Sequence, residues 1–285
     1  MNIKKECVKC IIYQIEKATK VLELDEKLSK SIMQEVKKRA KNFSFDETPP
    51  FVAKDVYQYL AQRTNLKDPL EKIKQASIKK AITYIPFIED KIDKSEDKIF
   101  TAIKASVAGN VIDFSTKKEF SLDDEINSIF HTDFAINDYE IFKIELNKTN
   151  SLIILSDNAG ENVFDKILIK TLKSIYPNLT IYYATRDKPI INDITTKEAY
   201  QIEIDKYCKI ISTGVDTPGL EKKRASKEFL ELFNKTPLIL AKGMGNFESL
   251  EGFNDKKIFF LFKVKCEVVA NTISKNLGEI VFKRG

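Results

Sequence analysis

Histidine and tryptophan are nearly absent from this chain of 285 residues, which contains one histidine, His131, and no tryptophan. A zinc site built on several histidines of one chain is therefore excluded. A Ser-His-Asp or Cys-His catalytic arrangement would have to use His131. That residue lies near the end of the helical pattern SLDDEINSIFHTDF, where a histidine that interacts with the helix dipole is the expected role.

Cysteine is also scarce, because four residues are too few for a disulfide framework in a chain of this length. Cys7 and Cys10 form a C-x-x-C spacing, which suits a redox or regulatory thiol pair, or half of a metal site. The same spacing places both side chains on one face of a helix, so simple packing is an open alternative. The sequence has no second C-x-x-C, since Cys208 and Cys266 stand alone.

Long hydrophobic runs are missing as well. No apolar stretch approaches the roughly 20 residues of a membrane span, and MNIKKECVKC lacks the apolar segment of a secretory signal, so we expect a cytoplasmic protein. The 47 basic and 42 acidic residues give a net charge of +5 and are interleaved, without a basic block. We therefore expect neither nucleic acid nor membrane as a partner, whereas anionic metabolites are compatible with the charge.

The hydrophobic pattern changes its period near residue 150. The preceding segments, such as CVKCIIYQIEKATKVL and KLSKSIMQEVKKRAKNF, are helical in spacing, and no strand is evident among them. From SLIILS onward, short β-branched and aromatic runs alternate with helical patterns, which is typical of a mostly parallel sheet. The prediction is an α/β protein with an all-helical bundle domain over residues 1–149 and a three-layer α/β/α, Rossmann-like catalytic domain over residues 150–285.

Polar residues follow each predicted strand, where parallel sheets bind their ligands. After SLIILS comes DNAGE, which supplies Asp157, Asn158, Gly160 and Glu161. Later strands are followed by Arg186 and Asp193, by Asp216, and by Lys242 and Asn246. Two carboxylates and an amide, from Asp157, Asn158 and Asp193, are hard oxygen ligands that suit Mg²⁺ or Mn²⁺.

The remaining residues at these strand ends suit phosphate. Lys242 can contact a phosphate oxygen, and Gly160 opens a helix whose N–H groups can bind an anion. Each feature alone has a simpler reading, because Asp-Asn before a helix is often only an N-cap and DTPG is an ordinary turn. Their coincidence at four strand ends favours a metal-dependent phosphoryl-transfer or phosphate-hydrolysis site.

The motifs LSDNAGENVFD, RDKPIINDIT, STGVDTPG, LILAKGMGNFESL and LFKVKCEVVA follow one another in the order of one known family. The chain resembles the metal-dependent damage-control phosphatases, also called acidic-residue methyltransferase-like proteins and formerly a domain of unknown function. It is similar to their prokaryotic branch, which carries the N-terminal C-x-x-C. The resemblance implies metal ligation at Asp157, Asn158 and Asp193, contributions from Asn110 and Asp113, and phosphate contacts from Lys242 and Asn246.

The expected activity is hydrolysis of small phosphorylated metabolites, such as sugar phosphates or damaged and side-product metabolites. Asp157 and Lys242 are the expected catalytic residues, with substrate contacts from Asn110, Asp113, Gly160, Glu161, Arg186, Asp216, Lys242 and Asn246. Mg²⁺ or Mn²⁺ is the expected cofactor, with Co²⁺ or Ni²⁺ also able to accept these ligands. Cys7 and Cys10 are expected to lie away from this chemistry. The alternative functions are an S-adenosylmethionine-dependent carboxyl methyltransferase and a non-enzymatic binding module that bears metal or thiol groups. The sequence leaves open the oligomeric state and whether Asp157 or a water molecule is the nucleophile.

Overall fold

The computed structural model describes residues 1–108 and 122–285. The helices of these residues are α1 (Lys5–Val21), α2 (Glu26–Ala40), α3 (Pro49–Thr64), α4 (Glu71–Ile82), α5 (Ile85–Asp93), α6 (Lys98–Ala108), α7 (Leu122–His131), α8 (Tyr139–Lys148), α9 (Glu161–Ile175), α10 (Thr196–Gln201), α11 (Lys227–Lys235), α12 (Met244–Leu250) and α13 (Glu267–Ile273). The strands are β1 (Ile136–Asn137), β2 (Ser151–Leu155), β3 (Thr180–Thr185), β4 (Lys209–Ser212), β5 (Leu238–Lys242), β6 (Ile258–Lys263) and β7 (Ile280–Arg284).

The strands form one seven-stranded sheet in the order β1-β7-β6-β5-β2-β3-β4. All neighbouring pairs are parallel except β6 and β7. The predicted α/β fold with a mostly parallel sheet is confirmed. Strand β2 pairs with β3 on one side and with β5 on the other. The strand order therefore reverses between β2 and β5. Ligands of open parallel sheets bind beyond the carboxyl ends of strands at such a reversal.

The central strands are buried on both faces, which explains their continuous apolar sequences. In β2, Leu152 and Ile154 belong to the hydrophobic core on one face, and Ile153 and Leu155 belong to the core on the other. The first core also contains residues of α4, α5, α6, α8 and α9, and the second contains residues of α11, α12 and α13. Helices therefore cover the sheet on both faces.

The helical region before residue 150 divides into two groups by its packing. Helices α1, α2 and α3 form a hydrophobic cluster of their own, which meets the α/β part of the chain at Ile190. Helices α4 to α8 instead share a core with the sheet. The domain boundary at residues 149 and 150 stays a prediction.

Local sequence signals account for several of these boundaries. Helix α3 begins at the Pro49–Pro50 pair, and Thr48 accepts a hydrogen bond from the Phe51 amide as its N-cap. Helix α7 ends at His131, as its pattern predicts. The expectation of no strand before residue 150 is wrong, because β1 adds to the sheet edge beside β7. Two residues are too few to show a strand period.

None of the helices in residues 1–108 and 122–285 combines the length and the apolar character that a membrane crossing requires.

Candidate active site

The loop after β2 is paired along its backbone with the loop after β3. Asn158 and Asp193 form an isolated antiparallel bridge. The Ile194 amide donates to the Asp157 carbonyl at 3.0 Å, and the Ala159 amide donates to the Asn192 carbonyl at 2.9 Å. Asn158 Nδ2 also donates to Asp157 Oδ2 at 2.8 Å. This pairing brings together the three residues that the sequence proposes as metal ligands.

The turn after β5 lies directly against the Asp157 carboxylate. Gly243 has a φ of +80°, and a Cβ built on it would lie 2.1 Å from Asp157 Cγ and Oδ2. A side chain at this position would overlap the carboxylate, and L residues rarely adopt this φ. Glycine therefore lets the β5 backbone approach the end of β2 at the reversal of strand order.

Lys242, the last residue of β5, is fully buried and has three acceptors. Its Nζ donates to Glu161 Oε1 at 2.5 Å, to Asp165 Oδ1 at 2.6 Å and to the Ser106 carbonyl at 3.1 Å. The Tyr183 hydroxyl donates to the other Asp165 oxygen at 2.7 Å. Glu161 Oε2 is buried without a hydrogen-bond partner in the described part of the chain. The ammonium is thus held by helix α9, and its direct contact with phosphate stays a prediction.

Arg186 follows β3 and fixes the Asp193 carboxylate. Its Nε donates to Asp193 Oδ2 at 2.8 Å, and both side chains are buried. The guanidinium nitrogens Nη1 and Nη2 are buried and have no hydrogen-bond partner among the described residues. A buried guanidinium with open donors is costly unless an anion or water meets it.

These buried groups carry an excess of negative charge. Four buried carboxylates face two buried cations, which leaves a net charge of −2 when all are ionised; the groups are Asp157, Glu161, Asp165, Asp193, Lys242 and Arg186. Burial raises the pKa of Asp157 well above its usual range, and the carboxylates of Glu161 and Asp193 raise it further. Burial also raises the pKa values of Glu161 and Asp193, although Lys242 and Arg186 oppose these shifts.

A cavity of about 350 Å³ lies between these strand ends and the first helices of the chain. Its walls include Asp157, Asn158 and Asp193 on one side and residues of α1 and α3 on the other. Pro218, Met244 and Gly245 also line it. The three proposed metal ligands therefore face a space that opens to solvent, while Lys242 and Glu161 are fully buried.

The other predicted site residues have different surroundings. Asn246 is buried and joins three segments, because its Nδ2 donates to the carbonyls of Ser156 and Lys242 and its Oδ1 accepts from the Leu220 amide. The Gly160 amide donates to Asn162 Oδ1 at 2.9 Å.

Asp216 lines a second cavity of about 510 Å³ and contacts Arg224, Gln58 and Lys54. Asn110 and Asp113 lie outside the described residues.

Sequence reasoning misplaced the thiols of α1. Cys7 and Cys10 were expected away from the phosphoryl chemistry, but both line the same cavity as Asp157 and Asp193. Only the tertiary packing of α1 against the strand ends determines this, so no local pattern indicated it.

Three further residues of the cavity were not predicted: Glu248, Lys265 and Cys266. Lys265 is exposed, and its charge lowers the pKa values of Asp157, Glu161 and Asp193. It lies in the LFKVKCEVVA motif directly after β6, so the strand-end rule could have found it. Burial raises the pKa of Glu248 to about 8.

Across residues 1–108 and 122–285, no group of three or more His, Cys, Asp or Glu side chains is arranged to hold a metal ion. The proposed ligand set differs from such a group, because one of its three ligands is the side-chain amide of Asn158, and asparagine is not among those four residue types.

Known proteins match nearly the whole chain. The model of the damage-control phosphatase ARMT1-like domain matches residues 3–281. A damage-control phosphatase of Pyrococcus horikoshii is 32% identical over 100% of this chain and 98% of its own length. A damage-control phosphatase of Archaeoglobus fulgidus is 29% identical over 99% of each chain.

A crystal structure of a DUF89 family protein from Pyrococcus horikoshii superposes with a TM-score of 0.91 at 31% identity, covering 100% of this chain and 99% of the other. The chain belongs to the damage-control phosphatase ARMT1-like family.

Proposed function

We propose that this phosphatase uses a divalent metal held by Asp157, Asn158 and Asp193 to hydrolyse small phosphate monoesters in the cavity beneath α1 and α3. The observation that carries the proposal is the excess of four buried carboxylates over two buried cations at the ends of β2, β3 and β5, which amounts to a net charge of −2 when all are ionised. A divalent cation would neutralise this charge, and the family is one of phosphatases.

The donor atoms suit such a cation. Carboxylate and amide oxygens are ligands of Mg²⁺ and Mn²⁺. Burial, together with the neighbouring carboxylates of Glu161 and Asp193, raises the pKa of Asp157, and a cation bound beside it would lower that pKa. When bound, a divalent cation supplies Lewis-acid stabilisation of the phosphoryl charge.

The buried residues position these ligands. Gly243 permits the β5 backbone to lie against Asp157, and the Arg186 Nε contact orients the Asp193 carboxylate. Lys242 holds Glu161 and Asp165 in place beneath the cavity through two ion pairs. Asn246 joins the ends of β2 and β5 through the carbonyls of Ser156 and Lys242.

Two cations near the proposed metal ligands can contact the phosphate group. Lys265 lies at the cavity edge, where its exposed ammonium can reach an incoming anion. The Nη1 and Nη2 atoms of Arg186 are buried donors that a phosphate oxygen would satisfy. In this proposal both groups would bind the phosphate oxygens and orient the phosphate beside Asp157, Asn158 and Asp193.

The proposed substrate class is compatible with the size of the cavity. A volume of about 350 Å³ suits a sugar phosphate or a similar side-product metabolite, since small-molecule sites start at roughly 300 Å³. A cytoplasmic location belongs to the same proposal, because the four cysteines are unpaired and such thiols persist in reducing compartments. The relatives named as phosphatases favour this function over the methyltransferase alternative.

The test is a panel of sugar phosphates assayed with Mg²⁺, Mn²⁺, Co²⁺ or Ni²⁺ and with a chelator. Asp157→Asn should lower turnover by about a thousandfold, the upper range for loss of one preorganised electrostatic group, and should weaken Mn²⁺ binding measured by calorimetry. Asp205→Asn, at an exposed position of a short 3₁₀ turn, is the matched control. Full turnover or unchanged Mn²⁺ affinity in Asp157→Asn would refute the site.

A further inference from the structure

Three cysteines from opposite ends of the chain meet at the cavity. Cys7 and Cys10 lie on α1, Cys266 precedes α13, and all three line the same space as Asp157. Cys10 and Cys266 are electrostatic neighbours, as are Cys7 and Cys10, and Cys7 and Cys266. The fourth cysteine, Cys208, packs against the core of the sheet instead.

The three thiols are unpaired but ordered by their surroundings. Cys10 is exposed and its Sγ accepts a hydrogen bond from Gln14 Nε2 at 3.5 Å. Cys266 Sγ accepts from the Val269 amide at 3.5 Å as the N-cap of α13. Cys7 is buried. Reagents can therefore reach Cys10 first, and Cys266 lines the same cavity.

We propose that Cys266 and the Cys7–Cys10 pair form a thiol–disulfide site whose oxidised form is a Cys10–Cys266 disulfide that joins α1 to α13 across the cavity. Cys10 is the expected partner because it lines the same cavity as Cys266 and is the exposed member of the pair, whereas Cys7 is buried. The bond fixes the two walls beside Lys265 and so blocks the entry of a phosphate ester; this consequence rests on the proposed function.

The oxidant is a low-molecular-weight disulfide such as oxidised glutathione. The Cys10 thiolate attacks one glutathione sulfur, which forms a mixed disulfide and releases one glutathione thiol. The Cys266 thiolate then attacks the Cys10 sulfur and releases the second glutathione thiol. Two protein thiols are oxidised by two electrons, and their two protons end on two molecules of reduced glutathione.

The surroundings of Cys10 and Cys266 predict a disulfide that forms slowly and is also reduced slowly. Burial raises the pKa values of Cys10 and Cys266, so few thiolates are present at neutral pH and exchange is slow. Thiols of raised pKa are also poor leaving groups, which slows the reduction of their disulfide. Val268, two residues after Cys266, packs against the hydrophobic cluster of α1, so α1 and the start of α13 already lie side by side.

The experiment treats the full chain with oxidised glutathione, removes the reagent, and divides the sample between peptide mapping by mass spectrometry and turnover of a sugar phosphate with Mn²⁺. The variants are Cys10→Ser, Cys266→Ser and the control Cys208→Ser, each compared with its own reduced sample. We expect a Cys10–Cys266 cross-linked peptide and at least a tenfold loss of kcat/KM in the wild type and in Cys208→Ser, both reversed by dithiothreitol. Neither Cys10→Ser nor Cys266→Ser should show the cross-link or its reversible loss.

Three results would overturn the inference: a Cys7–Cys10 disulfide alone, mixed glutathione disulfides alone, or a cross-linked protein with the turnover of the reduced one. A reduced wild type without phosphatase activity would instead refute the proposed function, and the peptide map would still decide whether the disulfide forms.

Discussion

Gly243→Ala is the substitution that most directly tests the contact between β5 and Asp157. A Cβ at this position would lie 2.1 Å from the Asp157 carboxylate, whereas ordinary contact begins at 3.4 Å, so the carboxylate must move by about 1.3 Å. A misplacement of about 1 Å can cost a hundredfold in rate. The positive φ adds a conformational penalty of roughly 1–2 kcal/mol to folding.

Gly278→Ala separates the two effects. Gly278 has a φ of +85°, close to that of Gly243, but a Cβ built there meets nothing within 4 Å. Both variants should therefore lose free energy of unfolding, measured by urea denaturation, and Gly243→Ala should lose more because its Cβ also overlaps Asp157. Gly243→Ala alone should lose at least about a hundredfold in kcat/KM and bind Mn²⁺ more weakly by calorimetry.

Two outcomes for Gly243→Ala and Gly278→Ala would contradict this prediction. If Gly243→Ala kept the turnover and Mn²⁺ affinity of Gly278→Ala, the Asp157 carboxylate would have no role that depends on its place beside β5. Loss of activity in Gly278→Ala as well would assign the effect to stability alone.

Three other substitutions test the charges around the cavity. Lys242→Met should cost about 3–5 kcal/mol of unfolding free energy, because Glu161 and Asp165 would stay buried without their cation; wild-type stability in urea would contradict the ion network. Lys265→Ala should lower kcat/KM by about 10- to 100-fold, the value of one charged hydrogen bond, whereas Lys275→Ala, at a half-buried position that does not line the cavity, should not. Because burial raises the pKa of Glu248 to about 8, the stability linked to its proton is present below the unfolded pKa and is lost as pH rises toward 8. Glu248→Gln should remove that loss, so urea titrations should show the variant more stable than wild type at pH 8 and equal to it near pH 5; a constant difference would contradict the shift.

Some strands could be predicted because a buried strand has a recognisable apolar sequence. The apolar run PLILAK predicts a buried strand, and β5 covers Leu238–Lys242 with every residue buried. The reversal of strand order between β2 and β5 could not be read locally, because it depends on which strands pair. The polar residues after those strands nevertheless lie together, as the rule for parallel sheets predicts.

The partners of Lys242 were harder to predict. The sequence indicated a phosphate contact for Lys242, whereas the structure pairs the lysine with Glu161 and Asp165. These two residues are four apart on α9, so they share one face of the helix, and that spacing was the available signal. Their burial against β5 depends on how α9 packs on the sheet, which the spacing does not determine.

The separate hydrophobic cluster of α1, α2 and α3 has a consequence for local unfolding. One wall of the cavity belongs to this cluster and the other to the sheet, which has its own cores. Cooperative units of this kind open with free energies of their own. We expect amide hydrogens of α1 to α3 to exchange with solvent faster than those of β2 and β5. The cavity wall formed by α1 and α3 would thus be the first part of this enzyme to lose its protection from hydrogen exchange.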